Sequence, residues 1–258
     1  MRKLSLLICS LILLSLAACS KPDDGIPPAP TTGTGGGGGD TAPAPTASIM
    51  GKVSFEGDAP KPKPIQTSAD PACTKELFTE GTKVKDGGLA NVIIYVSASP
   101  VTDGKNFAAP TTSVEIDQHD CHYIPHAFVL MVGQELSVKN SDNTLHNIHA
   151  YPNLDLPVHN DTFNAGQPVQ GMITKHVFDK KEILLPLKCE VHKWMGAFIA
   201  VVDNPYATVS AEGGSYELKL PAGHFEITAI HELYGKQTAM VDIKDGDKTP
   251  VNFKFKAN

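Results

Sequence analysis

The stretch EILLPLKCEVHKWMGAFIAVVD, residues 182–203, contains two short apolar runs joined by a polar loop. The runs, 182–189 and 196–203, have the length and aliphatic content of strands that are buried in a sheet. Between them, Cys189, His192 and Met195 place a thiol, an imidazole and a thioether within seven residues. The stretch therefore predicts two sheet strands that hold candidate metal ligands at their junction.

Further short apolar runs, several with a period of two residues, occur on both sides of this stretch and are bounded by Gly, Pro, Asn and Asp. Only residues 73–80 hint at a short helix. Many short strands with regular turn signals indicate an all-β sandwich. Asp-Asn-Pro at 203–205 marks a break, so we expect one β domain over 49–203 and a small additional β-sandwich-like unit over 204–258. The apolar pattern of the early strand at 48–57 is compatible with either unit. The runs that support this interpretation are 90–97, 127–140, 215–232 and 249–258.

The N-terminal end has the features of an export signal. Two basic residues precede an apolar run that is too short for a transmembrane helix, and small residues follow it. The sequence LAAC at 16–19 resembles the lipobox of bacterial lipoproteins, which implies a signal peptide over 1–18 and lipidation of Cys19. The resemblance also implies a lipid-anchored protein of the bacterial cell envelope. Ser20, at the next position, resembles the outer-membrane sorting pattern of Gram-negative bacteria, which implies the outer membrane facing the periplasm. The Pro/Gly-rich residues 19–48 read as a flexible tether.

Charge argues against one class of function, and the cysteine content points to one thiol that needs an explanation. The formal net charge is −6 and the sequence shows no Lys/Arg cluster, which argues against nucleic acid binding. The signal would remove Cys9, and lipid would occupy Cys19. Pairing of Cys73 with Cys121 as a disulfide would then leave Cys189 as a free thiol in an oxidising compartment, where a metal–thiolate bond would explain it.

The ligand types in the loop match a copper site. Two imidazoles, a thiolate and a weak axial thioether form the ligand set of mononuclear blue-copper sites. The loop supplies one imidazole, His192, so a second must come from elsewhere. NSDNTLHNIHA at 140–150 supplies His146 shortly after a predicted strand. The alternatives are a buried thiol with a surface histidine, and a Met195 that only fills the core.

The Cys-x-x-His-x-x-Met pattern of CEVHKWM resembles the ligand loop of amicyanin, in the cupredoxin family of type I copper proteins. VKNSDNTLHNIHA resembles the first-ligand segment of plastocyanin and amicyanin. Over residues 113–203 the resemblance implies a Greek-key cupredoxin sandwich with one type I copper, bound by His146, Cys189, His192 and axial Met195. It also implies that Asn147 ties the two ligand loops together. The whole chain resembles exported, methylamine-utilisation-like bacterial proteins that join a cupredoxin to a carboxypeptidase-regulatory-like β unit.

These features predict a lipid-anchored one-electron carrier rather than an enzyme. The ring edge of His192 is expected at the surface, with Trp194 and Lys193 facing a docked redox protein such as a c-type cytochrome or a membrane oxidoreductase. Lys193 departs from the family, which has proline there. A copper-binding or copper-delivery protein, or a non-redox surface interaction module, are the alternatives. One Cys–His loop argues against a multicopper oxidase or a nitrite reductase.

The remaining histidines allow a second metal site. QHDCHYIPH at 118–126 places three histidines around Cys121, of which His126 is the best candidate for an extra ligand. Their spacing fits no closed ligand motif, so surface loop histidines are the alternative. His231 and Glu232 end a strand and are expected at the surface.

Overall fold

The structure, a computed structural model, describes residues 39–257. The predicted signal peptide, the lipidation residue Cys19 and the tether up to residue 38 lie outside this range. Within it the chain forms twenty-one strands and no helix, so the predicted all-β fold is confirmed. Accordingly, these residues contain no helix that is long and apolar enough to cross a membrane.

The strands follow one another along the chain in three groups. The first group is β1 (Ala47–Glu56), β2 (Pro64–Ile65), β3 (Leu77–Phe78), β4 (Val84–Lys85), β5 (Gly88–Leu89) and β6 (Ile93–Ala98). The second is β7 (Val114–His119), β8 (His122–Ile124), β9 (Ala127–Met131), β10 (Glu135–Asn140), β11 (His146–Ala150), β12 (Phe163–Gln167), β13 (Ile173–Val177), β14 (Glu182–Lys188) and β15 (Gly196–Val202). The third is β16 (Ala207–Val209), β17 (Ser215–Leu220), β18 (Gly223–His231), β19 (Gly235–Ile243), β20 (Lys248–Pro250) and β21 (Phe253–Lys256).

Strands β7–β15 form a sandwich of two sheets, which we call the middle sandwich. One sheet has the order β13-β10-β7-β8 and the other β12-β11-β14-β15-β9. The pairs β7–β10 and β9–β15 are parallel, and the other pairs in these sheets are antiparallel. The alternating side chains of both sheets fill one apolar core, which includes Ile116, Leu136, Val138, Ile148, Leu187 and Ile199.

Strands β2 and β3 form a separate two-stranded sheet, and the other strands of the first and third groups form a second sandwich, which we call the outer sandwich. Strand β1 pairs antiparallel with β17 and parallel with β20 and β21, and β6 pairs with β16 and β18. Its core combines residues from both ends of the described chain, including Ile49, Leu89, Ile94, Phe225, Ile227 and Phe253. The early strands thus pack with the C-terminal unit rather than with the predicted copper domain, because β1 has its main-chain partners there.

Two local predictions differ from the structure. The run 127–140 is two strands, β9 and β10, which lie in different sheets. Gly133 makes the turn between them with a φ of 82°, a backbone conformation that glycine adopts without steric cost. The helix hinted at 73–80 is wrong, because Leu77 pairs with Ile65 between β3 and β2.

A third apolar cluster joins the two sandwiches. It contains buried residues of β6, β9 and β15, namely Ile93, Tyr95, Met131, Ala200 and Val202, together with Phe107. The last part of the predicted tether also contacts the fold. The main-chain nitrogen of Asp40 donates to Asn106, and that of Thr46 donates to Leu220, so the chain is held before β1 begins.

Candidate metal centre

Neighbouring strands of the middle sandwich bring the predicted ligands together. His146 opens β11, and Cys189 directly follows β14, which pairs with β11. The loop after Cys189 is tight: the amide of Met195 donates to the carbonyl of His192 at 2.9 Å, and the amide of Cys189 donates to the carbonyl of Met195 at 3.2 Å. Strand pairing and this short turn therefore place two imidazoles and a thiol at one end of the sandwich.

The three groups converge on one buried point. The Nδ1 atoms of His146 and His192 lie 3.0 Å apart, and the Sγ atom of Cys189 lies 4.0 Å from Nδ1 of His192. One donor atom from each residue lies within 4.8 Å of the others. The residues are 0%, 2% and 1% exposed, in the order His146, His192, Cys189. Such proximity of soft and borderline donors, shielded from water, is the arrangement that a small metal ion needs.

A carboxylate faces the outer nitrogen of each imidazole. Nε2 of His146 donates to Asp142 at 2.8 Å, and Nε2 of His192 donates to Asp70 at 2.9 Å. Each carboxylate selects the tautomer with hydrogen on Nε2, so both Nδ1 atoms present lone pairs to the centre. Two lone pairs at 3.0 Å repel each other unless a cation or an extra proton lies between them. The donor set therefore fits a bound metal ion.

Burial and hydrogen bonding set the charges around the centre. Burial lowers the pKa of His146, although the Asp142 carboxylate works in the opposite direction, so this ring is held in the neutral form that a metal ligand requires. The hydroxyl of Thr144, then the amide of Ala72, then His192 lower the pKa of Asp70 to about 2. Asp70 is therefore ionised at neutral pH.

Asp142 and Asn147 are themselves fixed by hydrogen bonds to the main chain around the site. Asp142 accepts the amides of Asp120 at 2.9 Å and Cys121 at 2.8 Å, which fixes the carboxylate that orients His146. Asn147 donates to the carbonyl of Ala165 and accepts the amide of Glu190 at 3.1 Å. Asn147 thereby connects the His146 strand to the loop after Cys189.

The fourth predicted ligand, Met195, is buried in the same apolar cluster as Cys189, with Trp194 packed against that cluster. This position suits a thioether ligand and also suits a core side chain. The disulfide between Cys73 and Cys121 is present, with an S–S distance of 1.97 Å, and Cys189 is a free, buried thiol.

The expectation that the ring edge of His192 lies at the surface is wrong. Asp70, from the segment between β2 and β3, lies against Nε2 of His192 and covers it. Trp194 is half-buried and donates its Nε1 hydrogen to the carbonyl of Cys121 at 3.0 Å. Lys193 is exposed and forms an ion pair with Glu190. Of the two predicted docking residues, Lys193 is therefore the more accessible.

The other histidines lie apart from the centre. His126 is bonded through Nε2 to Glu232 at 2.6 Å and through Nδ1 to the carbonyl of Gly196 at 3.1 Å, so both of its ring nitrogens have other partners. His119 is exposed near Asp120 and Asp142. The prediction that His231 is a surface residue is wrong, because it is buried against Tyr234, and Glu232 is largely covered.

Asp70 and Asp142 are the residues bonded to the candidate ligands that sequence reasoning missed. Asp142 stands four residues before His146, inside the segment that was already singled out, and this spacing was an available signal. Asp70 is 122 residues from His192 in the chain and has no local signal around it. Only the folded path of the segment between β2 and β3 reveals its role.

Comparisons with known proteins show only partial structural similarity. No family model matches the chain, and no curated protein matches it. A purple cupredoxin from Nitrosopumilus maritimus is 20% identical over 34% of this chain and 98% of its own, with a TM-score of 0.28. A variant of amicyanin in the Cu(I) form is 13% identical over 42% of this chain and 97% of its own, with a TM-score of 0.30.

A copper-containing nitrite reductase from Thermus scotoductus is 18% identical over 42% of this chain, with a TM-score of 0.32, and the match spans only 28% of that enzyme. These structural neighbours are cupredoxins or contain copper by their descriptions. At these TM-scores the similarity carries no weight for what this chain binds, which depends on its own side chains.

Proposed function

We propose that this protein is a cupredoxin-like electron carrier with one mononuclear type I copper bound by His146, Cys189 and His192, and with Met195 as the axial ligand. The observation that carries the proposal is the convergence of two carboxylate-fixed imidazoles and one buried free thiol. Bound copper would supply a one-electron couple between Cu(II) and Cu(I).

The protein residues would keep the ligands in one arrangement. Asp142 and Asp70 fix the planes of the two rings, and Asn147 fixes the distance between the ligand loops. The surrounding apolar core of the middle sandwich excludes water from the Cys189 sulfur. Ligands held on rigid strands change little in position when the charge of the centre changes, so little reorganisation opposes electron transfer.

The cellular setting forms a second part of the proposal. Lipidation at Cys19 would anchor the protein in the bacterial cell envelope, at the outer membrane facing the periplasm. The Pro/Gly-rich tether would let the folded part reach a redox partner, such as a c-type cytochrome or a membrane oxidoreductase. The exposed end of the ligand loop at Lys193, with Trp194 behind it, is the proposed docking surface.

Spectroscopy of the full chain in detergent tests the metal centre. Addition of Cu(II) should give an intense thiolate-to-copper absorption band in the visible and a Cu(II) EPR signal. The variants Cys189→Ser and His146→Gln should lose the band. The variant His149→Gln is the matched control, because His149 lies on the same strand and bonds to Glu190. A wild-type protein that stays colourless and EPR-silent under oxidising conditions would refute the proposal.

The cover over His192 favours one alternative, a copper-binding or copper-delivery protein without electron transfer. A closed ligand edge is unsuited to direct contact with a redox partner and well suited to retaining an ion. Voltammetry separates the two functions. A carrier shows a reversible one-electron couple, whereas a delivery protein shows none and transfers Cu(I) to an acceptor.

A further inference from the structure

A second group of soft donor atoms lies beside the proposed copper site. One ligand atom from each of Cys73, Cys121 and His192 lies within 4.8 Å of the others. In the structure the two sulfur atoms are joined as a disulfide, and disulfide sulfurs are poor metal ligands. The same atoms become two thiols next to an imidazole when the disulfide is reduced.

The segment that carries Cys73 can open without loss of either main core. Residues 66–76 have no regular structure, and most of them are exposed. Cys73, Leu77 and Cys121 form a small apolar cluster of their own, with Ile65 and Trp194 packed against it. Segments with few buried apolar contacts open locally at a lower free energy than the global unfolding of a domain. Local opening of this segment would expose the disulfide to a reductant while the sandwiches remain folded.

The chemistry of the step balances with a dithiol as the reductant. A thiolate of the dithiol attacks one sulfur of the Cys73–Cys121 bond and forms a mixed disulfide. The second thiol of the reductant then displaces the remaining cysteine. The protein gains two thiols and the reductant becomes a cyclic disulfide. Binding of one Cu(I) to the two thiols releases two protons to solvent and forms two copper–thiolate bonds.

We propose that reduction of this disulfide creates a Cu(I) site formed by Cys73, Cys121 and His192. Two thiolates and one imidazole are ligands that Cu(I) prefers over harder oxygen donors. This Cu(I) site lies on the side of the proposed type I copper site that the Asp70 segment covers. The two sites share His192, so the Cu(I) site provides a place where copper enters or leaves. Its formation does not depend on the neighbouring site being a type I copper centre.

The full chain with Cys189→Ser tests the site formed by Cys73, Cys121 and His192 alone, because this variant lacks the thiol of the proposed type I copper site. It is compared in oxidised form and after anaerobic reduction with a dithiol that is then removed. Competition with a coloured Cu(I) chelator measures the affinity. We expect one Cu(I) to be retained by the reduced form and none by the oxidised form. Adding His192→Gln should weaken retention by about tenfold or more, whereas adding the control His224→Gln, an exposed histidine of β18, should have no effect.

Three results would overturn the proposal. The first is equal retention of Cu(I) in the oxidised and reduced forms. The second is an affinity that His192→Gln leaves unchanged, which would mean a site of two thiolates without the imidazole. The third is loss of hydrogen-exchange protection in β14 and β15 on reduction, because the proposed site belongs to the folded protein. A colourless wild-type protein with Cu(II) would refute the electron-carrier proposal and leave this one standing.

Discussion

Replacement of Asp142 by asparagine tests whether this carboxylate fixes the metal centre. One oxygen of Asp142 accepts the amide of Asp120, and the other accepts both the amide of Cys121 and Nε2 of His146. Asparagine has one acceptor oxygen, and its NH2 group would face at least one of these N–H donors. The variant therefore removes one to two hydrogen bonds and leaves a donor facing a donor.

The size of the effect follows from those bonds. A hydrogen bond to a charged group contributes about 1.5–3 kcal/mol, and the side chain of Asp142 is only 13% exposed, so solvent screens it little. We expect the free energy of unfolding of the metal-free chain to fall by about 2 kcal/mol. We expect the copper affinity to fall by about 10- to 100-fold, as for other residues that orient metal-bound histidines.

Denaturant unfolding of the metal-free chain and metal competition with a chelator measure the two quantities separately. The matched control is Asp161→Asn, a substitution at an exposed residue before β12, which should change neither quantity. If Asp142→Asn unfolds at the same denaturant concentration as wild type and binds copper equally well, Asp142 does not position His146. A loss of stability with an unchanged copper affinity would limit its role to the turn at Cys121.

Two further predictions concern the outer sandwich. Burial lowers the pKa of His231 from 6.5 to about 4, against the opposing effect of Glu232. Between these pH values the unfolded chain therefore binds a proton that the folded chain does not. The free energy of unfolding should fall by roughly 3 kcal/mol as the pH drops from about 6.5 to 4. A His231→Gln variant whose free energy of unfolding has the same pH dependence would contradict this. A Cβ added at Gly88 would lie 1.8 Å from the carbonyl oxygen of Gly213, whereas one at Gly166 would meet nothing within 4 Å. In chemical denaturation, Gly88→Ala should thus lower the free energy of unfolding by about 2 kcal/mol or more, and Gly166→Ala by less than about 1 kcal/mol. Equal losses in the two variants would argue against the close approach of Gly88 to Gly213.

The parts of the site that sequence reasoning predicted are those with local signals. Cys189 and His192 share one loop, and the turn chemistry around His146 follows a strand with a clear apolar pattern. The disulfide followed from counting thiols in an exported chain. These inferences used residues that are close in sequence or the odd number of cysteines left in the exported chain. In the structure His146, Cys189 and His192 lie together, and Cys73 is bonded to Cys121.

The parts that sequence reasoning missed depend on long-range packing. Asp70 reaches His192 because the segment between β2 and β3 folds over the ligand loop, and the composition of that segment is that of an ordinary surface loop. Burial of His231 involves Phe255 of β21, which is distant in the chain, as well as the nearby Tyr234. Strand β1 looked equally suited to either sandwich, because an apolar pattern specifies a buried face and does not specify which sheet it joins.

The pairing of β1 with β17, β20 and β21 has a consequence for the order in which the chain folds as it emerges N-terminus first. All strands of the middle sandwich are available once Val202 has emerged, so that part can fold early. Strand β1 is made first and yet must wait for the last fifty residues before most of its main-chain groups have partners. Until then it is an unpaired apolar edge that can associate with other chains. A polypeptide truncated near Asp203 would therefore contain the candidate metal ligands together with an aggregation-prone N-terminal strand.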